Sequence, residues 1–128
     1  CAIRVIPGPP KSHRLEYRIS AADGNPYLAL AASVACGIYG IENKLELSPM
    51  VEGNAYDLET SPDNVELPNT LEKSTNTFSK SKVMRELFGD VWVDHFTITR
   101  EWEAKCYKEQ KKDDPDWFWM RDRYFEII

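Results

Sequence analysis

Lys11-Ser12-His13-Arg14-Leu15-Glu16-Tyr17-Arg18 is the stretch on which the reading of the chain turns. Leu15, Tyr17 and Ile19 alternate with Arg14, Glu16 and Arg18, the period-two pattern of a half-buried strand. One face would carry Arg–Glu–Arg and the other would pack apolar. Same-face neighbours on a strand stand roughly 6–7 Å apart, twice the rise per residue. One carboxylate therefore sits between two guanidinium groups, with Lys11 entering from the preceding turn. Arginine forks match the oxygens of phosphate and carboxylate, and a lone Glu between them can hold a hard divalent cation. The same spacing also suits a solvated ladder of cross-strand ion pairs, and the pattern alone leaves both readings open.

Upstream, Ala2-Ile3-Arg4-Val5-Ile6 reads as a short strand ended by Pro7-Gly8-Pro9-Pro10, a turn that cannot join a ladder. A hairpin between the two strands, 2–6 and 13–20, would bring Arg4 alongside the Arg–Glu–Arg face. Charge supports a local anion site. Residues 1–20 hold four Lys/Arg and one acid, against twelve and twenty in the remainder of a chain of net charge −5. The acidic total argues against general nucleic-acid binding.

Downstream, Asn25 is a good N-cap with Pro26 at the first helical position. The helix from 26 to 42 carries Leu28, Leu30, Val34, Ile38 and Ile41 among alanines, apolar nearly all round, and so is expected to be buried. A membrane span needs ~20 apolar residues; this run is shorter and ends in Glu42-Asn43-Lys44. Gly37 and Gly40 suggest either close backbone contact or a frayed end. Residues 45–67 form the one long irregular segment, and loops of that length usually have a task or are loosely held.

Helices are expected near 69–78, 82–88, 90–111 and 115–126. The third carries Trp92, Phe96, Thr99, Trp102 and Cys106 on one stripe, with His95 packed beside it. Arg100, Glu101, Glu103, Lys105 and Glu109 supply its charged surface. The last, opened by Asp114-Pro115, places Trp117, Met120 and Tyr124 on one face and Phe118 and Phe125 on a neighbouring one. Such a tail must dock on its own core or on a neighbour.

At 128 residues and 42% hydrophobic the chain can build one modest core. Its three cysteines, Cys1, Cys36 and Cys106, form no CxxC pair, which fits reduced thiols in a cytoplasmic setting. Starting on Cys rather than Met, and lacking a signal-peptide pattern, it is expected to be a piece of a longer chain. The two histidines are far apart, and no HExxH, GxSxG, P-loop or GxGxxG motif occurs.

Three blocks taken together resemble the glutamine synthetase superfamily. They are Lys11-x-x-Arg14-Leu15-Glu16-x-Arg18, then Asn25-Pro26-Tyr27-Leu28-Ala29-Leu30-Ala31, then Gly37-Ile38-Tyr39-Gly40-Ile41-Glu42-Asn43-Lys44, in the family's order and extending upstream to Ile3-Arg4-Val5. The resemblance implies an α+β fragment, with residues 1–128 the C-terminal portion of one catalytic domain whose N-terminal portion is absent. It implies an ATP-dependent ligase that joins the γ-carboxylate of glutamate to ammonia through γ-glutamyl phosphate, with Mg²⁺ or Mn²⁺. Carried onto this chain, Glu16 would ligate a metal, Lys11 and Arg14 would contact the nucleotide, and Arg4 and Arg18 would face the phosphoryl group and glutamate. A ring-shaped homo-oligomer, joined partly through the C-terminal helix, is implied as well. Asn54-Ala55-Tyr56-Asp57-Leu58 resembles a loop whose tyrosine is adenylylated in some members, here Tyr56. Thr99-Arg100-Glu101-Trp102-Glu103 resembles the branch that acts on amines other than ammonia. The turn between Arg4 and Lys11 is shorter than in bacterial members. The competing expectation is a non-enzymatic relative that keeps the fold as a scaffold.

Overall fold

A computed structural model of the protein describes residues 2–21, 24–51, 54, 65–111 and 116–125, with 116 and 117 as backbone only. The chain forms two compact units, Cys1–Val65 and Glu66–Ile128. The loop around Tyr56, Asp114-Pro115, the side chain of Trp117 and the last three residues lie outside the described set.

The first unit contains strands β1 (Ile3–Ile6) and β2 (Arg14–Tyr17) and helix α1 (Pro26–Glu42). The strands pair antiparallel with Ile3 opposite Tyr17, Arg4 opposite Glu16, Val5 opposite Leu15 and Ile6 opposite Arg14. Pro9 closes the turn, its carbonyl accepting from Ser12 N at 2.8 Å and His13 N at 3.2 Å. Beyond the strand end, Arg18 N donates to Ala2 O at 2.9 Å, so the pairing continues one step without strand geometry.

Asn25 caps α1 as expected, its side chain accepting from Tyr27 N at 3.0 Å and Leu28 N at 3.2 Å. The far end is not frayed. Lys44 N donates to Ile41 O at 3.2 Å and Leu45 N to Gly40 O at 3.0 Å, with Lys44 left-handed at φ 50°, a Schellman closure of the last turn. The expectation of a buried helix is corrected: α1 has no buried residue, and Leu30 and Ile41 are 65% and 79% exposed. A cap on the helix does not depend on its surroundings, whereas burial does, and a two-stranded ribbon cannot enclose a helix that is apolar all round. A Cβ on Gly37 or Gly40 would meet nothing within 4 Å, so no backbone approaches them here.

The second unit is helical: α2 (Leu71–Lys80), α3 (Lys82–Phe88), α4 (Asp90–Gln110) and α5 (Asp116–Tyr124). Thr70 caps α2 and Ser81 caps α3, each side chain accepting a backbone N–H at 3.2 Å. Gly89, at φ 79°, ends α3 and starts α4, a conformation that costs glycine little. Arg85 ties this corner. It donates to Ser79 O at 3.0 and 2.9 Å, to Asp90 at 2.8 Å and to Asp94 at 2.8 Å.

The core centres on α4, where Val93 is fully buried with Thr97, Ala104 and Cys106, against Thr75 of α2. Phe78 meets Trp92 and Phe96 edge-on, and Trp92 stacks on Phe96 at 5.1 Å. Two expectations for α4 are corrected. Trp102 is 59% exposed; at nine positions from Val93, about two and a half turns, it faces the opposite way. His95 is exposed rather than packed, for it lies about 200° round from Val93.

Glu103, placed by the sequence on the charged surface, is buried. Arg123 of α5 grips it with a two-pronged fork, Nε and Nη2 each at 3.1 Å from one oxygen, and Tyr124 donates its hydroxyl to the same carboxylate. Trp119 packs edge-on against Tyr107 at 5.3 Å and donates to Gln110 at 3.1 Å. Helix α5 thus docks on α4 of its own chain, one of the two outcomes open from its composition. The Arg123 fork holds the Glu103 carboxyl below its ordinary value of 4.5, against the opposing effect of burial, with the Tyr124 hydroxyl helping. A carboxyl whose folded value is depressed contributes stability above its unfolded value and loses it as pH falls through the folded one. Thermal melts from neutral pH down through 4.5 are therefore expected to show an acid-side loss of stability that Glu103→Gln flattens. Burial, then the bond to Glu103, pushes the Tyr124 hydroxyl up to about 12. That contribution is present below pH 10 and fades as pH rises toward 12.

Among the described residues no helix is long and apolar enough to cross a membrane.

Candidate active site

The register of the β1–β2 ribbon decides which side chains share a face, because directly opposed residues of an antiparallel pair point the same way. Ile3, Val5, Leu15 and Tyr17 form one face; Arg4, Ile6, Arg14 and Glu16 form the other. The expected proximity of Arg4 to the Arg–Glu–Arg run is present. Arg4 Nη1 lies 3.5 Å from Glu16 Oε2, and Arg14 Nη2 lies 3.8 Å from Glu16 Oε1. One guanidinium thus approaches each carboxylate oxygen, and neither pair forms the short parallel bonds of a fork.

The contacts are long and open. Side-chain exposure is 57% for Arg4, 59% for Arg14 and 35% for Glu16. Exposed pairs of this kind stabilise a fold by only about 0–1 kcal/mol, so the hairpin does not depend on them. Among the described residues each arginine keeps donors without a close acceptor: Arg14 adds only a 3.4 Å contact to Ser12 O. Lys11 sits in the turn and Arg18 just past β2, and neither forms an ion pair among the described residues. The structure therefore brings Arg4, Arg14 and Glu16 together and leaves Lys11 and Arg18 at the two ends of the same hairpin.

The apolar face is corrected in the same way as α1. Ile3, Val5, Leu15 and Tyr17 are each at least half exposed, since two strands have no second layer to pack on.

For a metal, the donor chemistry fits at one position. Glu16 offers hard carboxylate oxygens, partly exposed and loosely engaged, which suit Mg²⁺ or Mn²⁺. No group of three or more His, Cys, Asp or Glu side chains that could hold a metal occurs among the described residues. The described residues of this hairpin therefore offer one ligand, not a complete cage.

The family described as "Glutamine synthetase, catalytic domain" matches residues 1–117. The chain is 43% identical to Type-1 glutamine synthetase 2 of Dictyostelium discoideum over 99% of its own length and 23% of that protein's. It is 41% identical to a gamma-glutamylethanolamide synthetase of Streptomyces coelicolor, over 98% of this chain and 25% of the relative. To a glutamate–isopropylamine ligase of a Pseudomonas species it is 36% identical, over 98% of this chain and 26% of the relative. The chain thus spans about a quarter of the length of these relatives. No solved structure matches it. With nearly all of its residues aligned to that catalytic domain, the chain belongs to the glutamine synthetase family.

Proposed function

We propose that the whole protein is an ATP-dependent ligase that joins the γ-carboxylate of glutamate to ammonia, and that residues 1–128 are the C-terminal portion of its catalytic domain. The observation that carries this reading is the pairing of Arg4 with Glu16 on the face that also holds Arg14. Activating a carboxylate with ATP passes a phosphoryl group between two anions. Fixed cations are needed where that charge develops, together with a divalent metal. In this reading Arg4 and Arg18 meet the phosphoryl group and glutamate, Lys11 and Arg14 hold the nucleotide, and Glu16 supplies one ligand to Mg²⁺ or Mn²⁺. The metal neutralises phosphate charge when bound; the arginines orient the phosphate oxygens. Long, exposed contacts support this, because a site built only for ion pairing would close its forks.

A second reading, ligation of glutamate to a larger amine, is favoured by similarity to relatives named a glutamate–isopropylamine ligase and a gamma-glutamylethanolamide synthetase. A ring-shaped homo-oligomer and a cytoplasmic setting belong to the same proposal. Among the described residues, Met120 on α5 and Phe125 just past its end, 45% and 80% exposed, are large apolar side chains available for contact with another subunit.

The test is glutamate-dependent ADP release by the full-length protein with Mg²⁺ and, in turn, ammonium, ethanolamine and isopropylamine. One amine should raise turnover clearly above the amine-free rate. ATP left intact with every amine, by folded protein, would favour the scaffold instead.

A further inference from the structure

Arg4 stands directly opposite Glu16 in the ribbon register, and Arg14 precedes Glu16 by two residues on the same face. Each arginine takes a different carboxylate oxygen: Arg4 Nη1 lies 3.5 Å from Oε2, and Arg14 Nη2 lies 3.8 Å from Oε1. Both oxygens that a metal would need are therefore already engaged by cations. The surroundings also have the wrong sign for a bare dication. Residues 1–20 set Arg4, Lys11, Arg14 and Arg18 against the single carboxylate of Glu16, four charges minus one, or +3. Like charge at this spacing opposes a cation's approach.

The hold on Glu16 is light. Neither contact is a fork, and both arginines are exposed. Phosphate oxygens offer each guanidinium what this carboxylate does not, two short parallel bonds. Turning the arginines toward an anion needs only side-chain rotation, because the backbone beneath them is fixed. Arg4 and Glu16 are paired across the ladder, and the turn before β2 is closed by Pro9 O, which accepts from Ser12 N at 2.8 Å.

We propose that Glu16 is an anion-gated metal ligand: Arg4 and Arg14 hold both of its oxygens until a phosphate-like anion draws the guanidinium groups away. The anion does two things at once. It frees the carboxylate, and it cancels part of the positive charge around it. Phosphate and divalent cation thus favour each other's binding on this face. The gate rests on the reading of Glu16 as a metal ligand and adds to it a regulatory role for the two arginines.

The experiment is a Mn²⁺ titration of the full-length protein followed by electron paramagnetic resonance. Sodium sulfate serves as the anion, with sodium chloride at matched ionic strength as the reference. Binding that disappears in Glu16→Gln defines the site. In the parent, sulfate should strengthen that binding about threefold, and by linkage Mn²⁺ should strengthen sulfate binding by the same factor. Arg14→Gln should strengthen Mn²⁺ binding about threefold without sulfate, as release of one exposed pair would give. The double variant Arg4→Gln, Arg14→Gln should bind Mn²⁺ more tightly still and be indifferent to sulfate. Arg18→Gln removes the same charge from the hairpin but no ion pair to Glu16 among the described residues, so its gain should be smaller than that of Arg14→Gln. Three results would each overturn the gate while leaving Glu16 a metal ligand: no gain in Arg14→Gln, an equal gain in Arg18→Gln, or a sulfate effect that survives in the double variant. Absence of any Glu16-dependent Mn²⁺ binding, with and without sulfate, would overturn the gate and the metal role together.

Discussion

Glu16→Gln in the full-length protein is expected to leave the melting temperature close to that of the parent while lowering metal-dependent ATP turnover by about a hundredfold or more. The stability half follows from geometry. Glu16 meets Arg4 and Arg14 at 3.5 and 3.8 Å with all three side chains over a third exposed. Losing such contacts changes stability by about 1 kcal/mol at most. The activity half follows from the proposed role, because a neutral amide oxygen is a poorer ligand for a hard dication than a carboxylate. Thermal melting and ADP release measured on one preparation separate the two. A large fall in melting temperature with turnover per folded molecule retained would make Glu16 structural.

Glu103→Ala is expected to act in the opposite sense on the second unit, through stability rather than chemistry. It removes two hydrogen bonds from Arg123 and one from Tyr124 to a buried carboxylate. Charge-assisted bonds of this kind support a loss of about 2 kcal/mol, moderated because Arg123 can turn back to solvent. In a domain of 60–100 residues that is roughly 8–16 °C in melting temperature. Near-ultraviolet circular dichroism of the 128-residue chain reads it, since Trp119 and Tyr107 leave their packed arrangement when α5 detaches. An unchanged melt and an unchanged aromatic spectrum would show that α5 is held by its apolar contacts alone.

These two glutamates show what was legible in the sequence and why. Glu16 could be found because a strand repeats every two residues, so its neighbours fix its face, and the proline turn fixes the hairpin. Helix boundaries were legible for the same local reason: Asn25, Ser81 and Gly89 satisfy or end a helix through their own side chains or backbone. Glu103 was not found, because its partner lies twenty residues on. A signal existed: Thr99, Glu103 and Cys106 share one helical face, which put a carboxylate on the buried side. Burial itself was misjudged wherever it depends on a second layer. The apolar residues of α1 and of one ribbon face have the pattern of a core, yet are exposed in this chain. Periodicity records which face is apolar; it does not say what covers that face.

The central claim is that the ribbon face bearing Arg4, Arg14 and Glu16 is the nucleotide and metal part of a ligase site. The most direct measurement is a Mn²⁺ titration of the full-length protein with a non-hydrolysable ATP analogue, followed by electron paramagnetic resonance and repeated on Glu16→Gln. The expected result is nucleotide-dependent Mn²⁺ binding weakened at least about tenfold in the variant, with folding intact. The same Mn²⁺ affinity and stoichiometry in both proteins would contradict the claim.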